Sequence, residues 1–422
     1  MGIYKVCDIR GKFGSEVKPW HAQRLGEAIV AQKKPDKILV AGDGRLSTPA
    51  LKSALMEGII RSGGDVIDLG IVPTPLFYFA RNYFNIKVGV MVTASHNPAQ
   101  DNGFKITLGA MPITVDEIRN LAGWMEGSLS PKITRPGKYI QKNMIPAYLD
   151  SVGANLPDLS GLKIVVDCSH GVASLVAHQV WDKTGADVTY ILDHIDGNFP
   201  IHAPNPVNSQ NLTLLQETVL AQKADLGVIY DGDGDRVAFV DEKGNVIVND
   251  KVIVIFSREI LKNNAETIVF DQKCSRIVPD TIREFKGKAI MEVSGHTYIK
   301  RSFLKLNAAY AGELSGHHFF RSLHGDDGLV ASIFFARILK ESGHSLSEIS
   351  ESIPVYPITP DIRIPMLPTD VQQLIIDLEN KFYGKAVLKK TDGLRIENET
   401  GWGLVRPSIN EPAVTLRFEG IN

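Results

Sequence analysis

Asp231-Gly232-Asp233-Gly234-Asp235-Arg236 is the stretch of this sequence whose residue types point most directly to chemistry. In an extended segment, residues at i, i+2 and i+4 share a face, so the three carboxylates converge. Like charges held that close repel unless a cation sits among them. Oxygen-only ligands suit Mg²⁺, Mn²⁺ or Ca²⁺ rather than zinc. The glycines between the aspartates allow close backbone approach. An EF-hand calcium loop is the competing pattern, because Asp231, Asp233, Asp235 and Glu242 fall at its first, third, fifth and twelfth positions. Its sixth position needs Gly, however, and Arg236 stands there between strand-like flanks. A bare acidic turn is the other alternative, and it is costly directly after a buried strand.

A second candidate is Thr93-Ala94-Ser95-His96-Asn97-Pro98, continuing through Asp101-Asn102-Gly103-Phe104-Lys105. A serine just past a buried strand is well placed as a nucleophile or phosphate carrier. The G-x-S-x-G elbow is excluded, since Thr93 and Asn97 stand where it needs glycine. Taken alone, Ser95 is more often a turn or capping serine, and His96 more often an orienting histidine than a base. A third stretch, Gly312-Glu313-Leu314-Ser315-Gly316-His317-His318, sets Glu, Ser and His at alternate positions, as a face that bonds sugar hydroxyls would. A fourth, Arg406-Pro407-Ser408-Ile409-Asn410-Glu411-Pro412, offers a planar fork of donors, a hydroxyl and turn amides to an anion. Read alone, the third stretch is more often structural, and the fourth is at least as often an ordinary turn.

The elements that must position these loops recur three times. An apolar strand ends in Asp at Asp43, Asp167 and Asp271. Helix-like segments follow near 48–62, 172–184 and 276–286, the first opening on Ser47-Thr48-Pro49 with Leu51, Leu55 and Ile59 on one face. Second strands are expected near 65–69, 187–192 and 289–293, and further helices near 76–84, 209–222 and 297–305. Third strands, at 88–92, 226–230 and 308–311, run into the first three polar loops. Strands alternating with helices imply α/β units, whose ligands bind beyond the carboxyl ends of strands. The tail differs: a helix over 371–383 and short strands over 386–390, 393–397, 402–406 and 413–418 read as a small α+β domain. The proline-rich stretch 354–368 reads as a linker.

Composition narrows the function classes. The 422 residues suit about two to four domains. Lys plus Arg is 46 against 48 for Asp plus Glu, a balance that argues against a nucleic-acid or anionic-membrane binder. No apolar run reaches the roughly 18 residues of a membrane helix. The N-terminus does not read as a signal peptide. Three scattered cysteines (Cys7, Cys168 and Cys274) argue against a disulfide framework and suit a reducing cytoplasm.

Together these motifs make the chain resemble the α-D-phosphohexomutase superfamily, most closely its phosphomannomutase/phosphoglucomutase branch, over essentially its whole length. T-A-S-H-N-P looks like the phosphoserine loop, D-G-D-G-D-R the metal loop, G-E-L-S-G-H the sugar-specificity loop and the Arg406 stretch the phosphate loop. Asp8-Ile9-Arg10-Gly11, Asp196-Gly197-Asn198-Phe199-Pro200, Lys273-Cys274-Ser275 and Gly295-His296 add to the match. The resemblance implies three tandem related α/β domains with mixed sheets plus a smaller C-terminal α+β domain, around a central cleft. The domains are expected at 1–140 (phosphoserine), 141–243 (metal), 244–355 (sugar specificity) and 356–422 (phosphate).

It further implies an isomerase that interconverts hexose 1-phosphate and hexose 6-phosphate, of mannose and/or glucose. Ser95 would carry the phosphoryl group, and a hexose 1,6-bisphosphate would be both intermediate and activator. Mg²⁺ would be held by Asp231, Asp233, Asp235 and the phosphorylated Ser95. Arg10, His96, Lys105 and Arg236 would complete the catalytic set, with Lys105 moving the proton after neighbouring cations lower its pKa. Lys273, Gly295, His296, Glu313, Ser315 and His317 would take the sugar, and Arg406, Ser408 and Asn410 the non-reacting phosphate. The protein would be a cytoplasmic monomer or homodimer whose partner is a phosphosugar.

The sequence departs from the family pattern in three places. Cys7 replaces an aromatic, Ile409 interrupts the phosphate loop, and Cys168-Ser169-His170-Gly171 stands where a Gly-Asn-Gly is usual. Phosphoglucosamine mutase is an alternative, disfavoured because Leu314 stands where that branch carries Gln. A non-catalytic sugar-phosphate binder is disfavoured by retention of Ser95 and all three aspartates. A metal-dependent phosphatase would have to admit water to the phosphoserine.

Overall fold

The computed structural model describes residues 2–6, 8–127, 135–323, 325–408 and 412–421. Cys7, Ile409 and Asn410 lie outside them. The chain forms two compact units, Met1–Asn249 with Ser315–Ser350, and Asp250–Leu314 with Glu351–Asn422.

The first unit opens on a six-stranded sheet in the order Ile9–Lys12, Asp101–Leu108, Val88–Val92, Lys37–Gly42, Asp65–Ile71, Tyr139–Gln141. Its inner strands are covered on both faces, so they read as unbroken apolar runs; all of Val88–Val92 is buried. The expected helix near 48–62 is Thr48–Arg61, with Leu51, Leu55 and Ile59 buried. Helix Pro19–Lys33 crosses it so closely that a Cβ at Gly58 would lie 2.1 Å from the Gln23 carbonyl oxygen. A five-stranded sheet follows, ordered Val246–Ile247, Val237–Asp241, Leu226–Tyr230, Lys163–Asp167, Asp187–Ile191.

Both sheets share one device. A parallel strand ends in a polar loop, and an antiparallel strand returns beside it, Val88–Val92 with Asp101–Leu108 and Leu226–Tyr230 with Val237–Asp241. Residues 101–105, which read as loop in the sequence, are therefore strand. That strand pairs Lys105 with Met91 and Gly103 with Arg10.

Ser169 and His170, in the stretch that departs from Gly-Asn-Gly, both take left-handed backbone (φ +50° and +53°) that non-glycine residues rarely adopt. Ser169 Oγ donates to the Tyr230 carbonyl at 2.6 Å and its N–H to Asp167 at 2.7 Å, which holds the turn. The hairpin His318–Phe320 with Gly325–Asp326 and the helix Gly328–Ser342 also belong to the first unit.

In the second unit, Thr267–Asp271 lies parallel to both Lys288–Glu292 and Tyr310–Gly312. The tail forms an antiparallel sheet in the order Ile362–Pro365, Ala413–Gly420, Gly401–Pro407, Leu394–Asn398, Val387–Lys389. Helix Pro368–Phe382 covers it, with Val371 packed on Val405 and Val414. The first strand of this sheet corrects the linker reading of 354–368. Ile362–Pro365 is an edge strand, where proline is tolerated because one side needs no donor. The chain thus builds three tandem α/β domains of mixed strand direction and a smaller C-terminal domain with an antiparallel sheet. No helix among the described residues is long and apolar enough to cross a membrane.

Candidate active site

Ser95 sits in the loop that leaves Val88–Val92, in left-handed backbone with φ +52°. A serine there is strained and persists only where its surroundings over-determine it. Its N–H donates to Thr93 Oγ1 at 2.8 Å, and its Oγ donates to Asp231 Oδ2 at 2.8 Å. His96 Nδ1 lies 3.4 Å from the same Oγ. Burial, then the cations Arg236 and Arg10, hold the His96 imidazole well below its ordinary pKa. It is therefore neutral near pH 7.

Asp231, Asp233 and Asp235 are fully buried, and one oxygen from each lies within 4.8 Å of the others. Asp233 Oδ2 accepts from Thr74 Oγ1 at 2.7 Å and from Lys105 Nζ at 2.7 Å. Asp231 Oδ1 accepts the Arg236 N–H at 3.2 Å. Burial and the two neighbouring carboxylates push Asp231 well above the usual carboxylate range. Burial acts the same way on Asp233, but Lys105 outweighs it and holds that carboxyl below its ordinary value. Asp233 Oδ1 and Asp235 Oδ1 are buried with no hydrogen-bond partner among the described residues. Two orphaned carboxylate oxygens in a buried three-aspartate cluster fit a hard divalent cation.

Lys105 Nζ bonds both Asp233 and Asp235. Burial lowers its pKa, but those carboxylates outweigh burial and raise it well above the ordinary value. The electrostatics therefore run opposite to the sequence expectation, because the groups nearest Lys105 are anions. Arg10 Nη1 donates to Asn97 Oδ1 at 2.8 Å, and its other branch pairs with Asp8. Arg236 Nε donates to His317 Nε2 at 3.0 Å, and His317 Nδ1 lies 2.9 Å from Asp326 Oδ2. Together these fix one tautomer, with the proton on Nδ1 and Nε2 accepting.

Ser315 Oγ, in the same unit, is buried with no hydrogen-bond partner among the described residues. The structure thus brings together Ser95, His96, Arg10, Lys105, Arg236, His317 and the three aspartates within the first unit. The candidates other than these and Ser315 belong to the second. Lys273 Nζ bonds Asp361 at 2.9 Å. Gly295, at φ +134°, opens the helix His296–Lys305, and Glu313 is buried. Arg406 Nη2 pairs with Asp392 at 3.0 Å while its Nε has no hydrogen-bond partner among the described residues, and the Ser408 N–H donates to the Ala413 carbonyl at 2.8 Å.

Sequence reasoning missed Thr74, Asn97 and Asp326. Thr74 lies between two prolines, where it reads as a helix start. Asn97 was inside the serine motif without a role. Asp326 in Gly325-Asp326-Asp327-Gly328 carried only a turn signal.

Residues 2–128, 146–244 and 249–356 match the phosphoglucomutase/phosphomannomutase alpha/beta/alpha domains I, II and III in turn. A phosphomannomutase/phosphoglucomutase of Pseudomonas syringae is 36% identical over 99% of this chain and 91% of its own. A phosphoglucomutase of Neisseria gonorrhoeae is 35% identical over 99% and 92%. The crystal structure of a phosphoglucomutase/phosphomannomutase family protein from Burkholderia thailandensis superposes with a TM-score of 0.91 at 34% identity, covering 100% of this chain and 93% of that one. With three successive domain matches and relatives of this identity over nearly its full length, the chain belongs to the phosphoglucomutase/phosphomannomutase family of the α-D-phosphohexomutase superfamily, and the enzyme is an isomerase of the phosphohexomutase type.

Proposed function

We propose that the protein interconverts hexose 1-phosphate and hexose 6-phosphate, of mannose and/or glucose, with Ser95 as the phosphoryl carrier. The observation that carries this reading is the placement of the Ser95 hydroxyl. It lies 2.8 Å from one aspartate of a buried cluster whose other members are bridged by Lys105. Phosphoryl transfer is mainly a matter of positioning and charge stabilisation, and cations around a serine supply both.

Phosphorylated Ser95 passes its group to the free hydroxyl of the sugar phosphate, giving a hexose 1,6-bisphosphate, and the proton of that hydroxyl ends on the freed serine oxygen. The serine then takes back the other phosphate, so the serine ester is regenerated and no phosphate is lost to water. Arg10, Lys105 and Arg236 neutralise the transferring group, and neutral His96 orients the serine. The cluster Asp231, Asp233, Asp235 holds Mg²⁺, which as a Lewis acid draws charge from the phosphoserine oxygen when bound. Lys273, Gly295, His296, Glu313, Ser315 and His317 recognise the sugar, and Arg406, Ser408 and Asn410 the non-reacting phosphate. A trace of hexose 1,6-bisphosphate is the activator, because it phosphorylates any serine that has lost its group. The buried free thiols of Cys168 and Cys274 suit a cytoplasmic enzyme.

Phosphorus NMR tests the reading. The protein, Mg²⁺ and a trace of glucose 1,6-bisphosphate are mixed with mannose 1-phosphate or glucose 1-phosphate in separate tubes. Growth of a 6-phosphate signal is expected, and the two rates set the preference. Release of inorganic phosphate alone, or no change in either tube, overturns it; glucosamine 1-phosphate is then the next substrate to try.

A further inference from the structure

Arg45 belongs to none of the motifs that suggested chemistry, and it is only 1% exposed. Each of its five N–H donors is nevertheless used. Nε bonds Asp43 Oδ2 at 3.0 Å. Nη1 bonds the carbonyls of Pro98 at 2.6 Å and Asp101 at 3.0 Å. Nη2 bonds those of Ser95 at 2.8 Å and Asn97 at 2.7 Å. Four carbonyls of the serine loop therefore converge on one buried guanidinium. Asp43 balances its charge and also accepts from Thr93 Oγ1 at 2.7 Å, the same hydroxyl that receives the Ser95 N–H.

The Asp196-Gly197-Asn198-Phe199-Pro200 stretch closes over this arrangement. The Phe199 ring centroid lies 5.2 Å from Arg45 Cζ. Gly197 comes so near that a Cβ there would lie 2.6 Å from the Leu46 nitrogen. On the other side, a Cβ at Gly232 would meet the Ser95 carbonyl oxygen at 2.7 Å, so the metal loop presses on the same peptide.

We propose that Arg45 is a positioning residue for phosphoryl transfer: it gathers the carbonyls of Ser95, Asn97, Pro98 and Asp101 into the loop shape that holds Ser95 left-handed and aims its Oγ at Asp231. This rests on the reading of Ser95 as the phosphoryl carrier. Only a planar fork of five donors satisfies four carbonyls and a carboxylate at once. A lysine keeps the charge but has three donors at one point, so at least two of the five acceptors lose their partner and the strained serine is released to other conformations. The loss falls on the geometry of transfer and not on substrate recognition.

The test compares wild type with Arg45→Lys. It measures melting temperature, kcat and KM for the hexose 1-phosphate that wild type turns over, and the rate at which glucose 1,6-bisphosphate phosphorylates Ser95, read by intact mass. The expected result is a folded variant with KM within about threefold of wild type, and with kcat and the phosphorylation rate both lower by about 100-fold or more. A variant that melts earlier but keeps kcat and the phosphorylation rate within threefold overturns the proposal, because the arginine would then only support the fold. Should Arg45→Lys fail to fold, Phe199→Ala takes its place, removing the ring that covers the guanidinium and opening its hydrogen bonds to competition from water. A tenfold lower kcat at unchanged KM supports the proposal there, and an unchanged kcat overturns it. A wild type that turns over no hexose phosphate overturns the reading of Ser95, and this proposal with it.

Discussion

Ser95 Oγ and Asp231 Oδ2 lie 2.8 Å apart although 136 residues separate them in the chain. The fold sets a hydroxyl at the end of one sheet against a carboxylate at the end of the next. Ser95→Ala removes the hydroxyl proposed to carry the phosphoryl group. Turnover in a bisphosphate-primed assay is expected to fall by at least about 10³-fold. Near-normal activity in that assay would count against the assigned role.

Asp233→Asn tests the carboxylate cluster. The change removes a charge from a group bonded to both Thr74 and Lys105. Losing an outer-shell partner of a metal ligand costs roughly 10–100-fold in affinity or activity, so losing a ligand should cost at least that much. The Mg²⁺ concentration for half-maximal rate should rise while kcat falls. An unchanged magnesium titration would refute the cluster as the metal site.

The chain Asp326–His317–Arg236 sets the direction in which Arg236 points. Asp326→Asn can donate as well as accept, so it no longer fixes the proton on His317 Nδ1. A fall in kcat of about 10–100-fold with little change in melting temperature is expected. Steady-state kinetics and calorimetry on one preparation check both halves, and an unaltered kcat would show that the chain is structural only.

His202 gives a pH signature of stability. Its Nε2 lies 3.0 Å from Asp167 Oδ2 and its Nδ1 lies 3.0 Å from the Ala203 carbonyl. Burial alone would lower its pKa, but the bond to Asp167 and that residue's charge raise it above the ordinary value. The folded state thus holds the proton more tightly than the unfolded state. The stabilisation is fully present below the unfolded pKa of about 6.5 and is lost as pH rises through the higher folded value. The melting-temperature gap between wild type and His202→Gln should be largest at pH 6 or below and shrink at high pH. A gap that widens with pH would reverse the sign.

Gly58 shows where the fold has no room. A methyl group there would stand 2.1 Å from the Gln23 carbonyl and force the two helices apart. Gly58→Ala should destabilise by about 1–3 kcal/mol, although alanine is the better helix former. Denaturant unfolding decides between packing and propensity, and a stabilised variant would mean that the helices separate freely.

What the sequence alone determined was local. Strands covered on both faces had to be short apolar runs, so Val88–Val92 and Leu226–Tyr230 were legible without a partner. Three alternate aspartates pointed to a shared cation as the simplest answer to their repulsion, although the loop gathers them as a turn, with the Gly234 N–H on the Asp231 carbonyl at 3.2 Å, and not as an extended segment. Helix Thr48–Arg61 announced itself by the proline in its first turn and by its apolar spacing.

What only the tertiary structure decided were relationships between such pieces. The sign of the Lys105 pKa shift depends on which charges the fold sets beside it, and those lie 128 and 130 residues away. The edge strand Ile362–Pro365 is a strand because Ala413–Gly420 offers it backbone partners, and its prolines spoke against it locally. Arg45 and Asp326 carry no signature of their own, since an arginine or aspartate in a turn is usually solvated. Their meaning comes from the carbonyls and the imidazole that the fold brings to them, and local periodicity holds no information about partners so far along the chain.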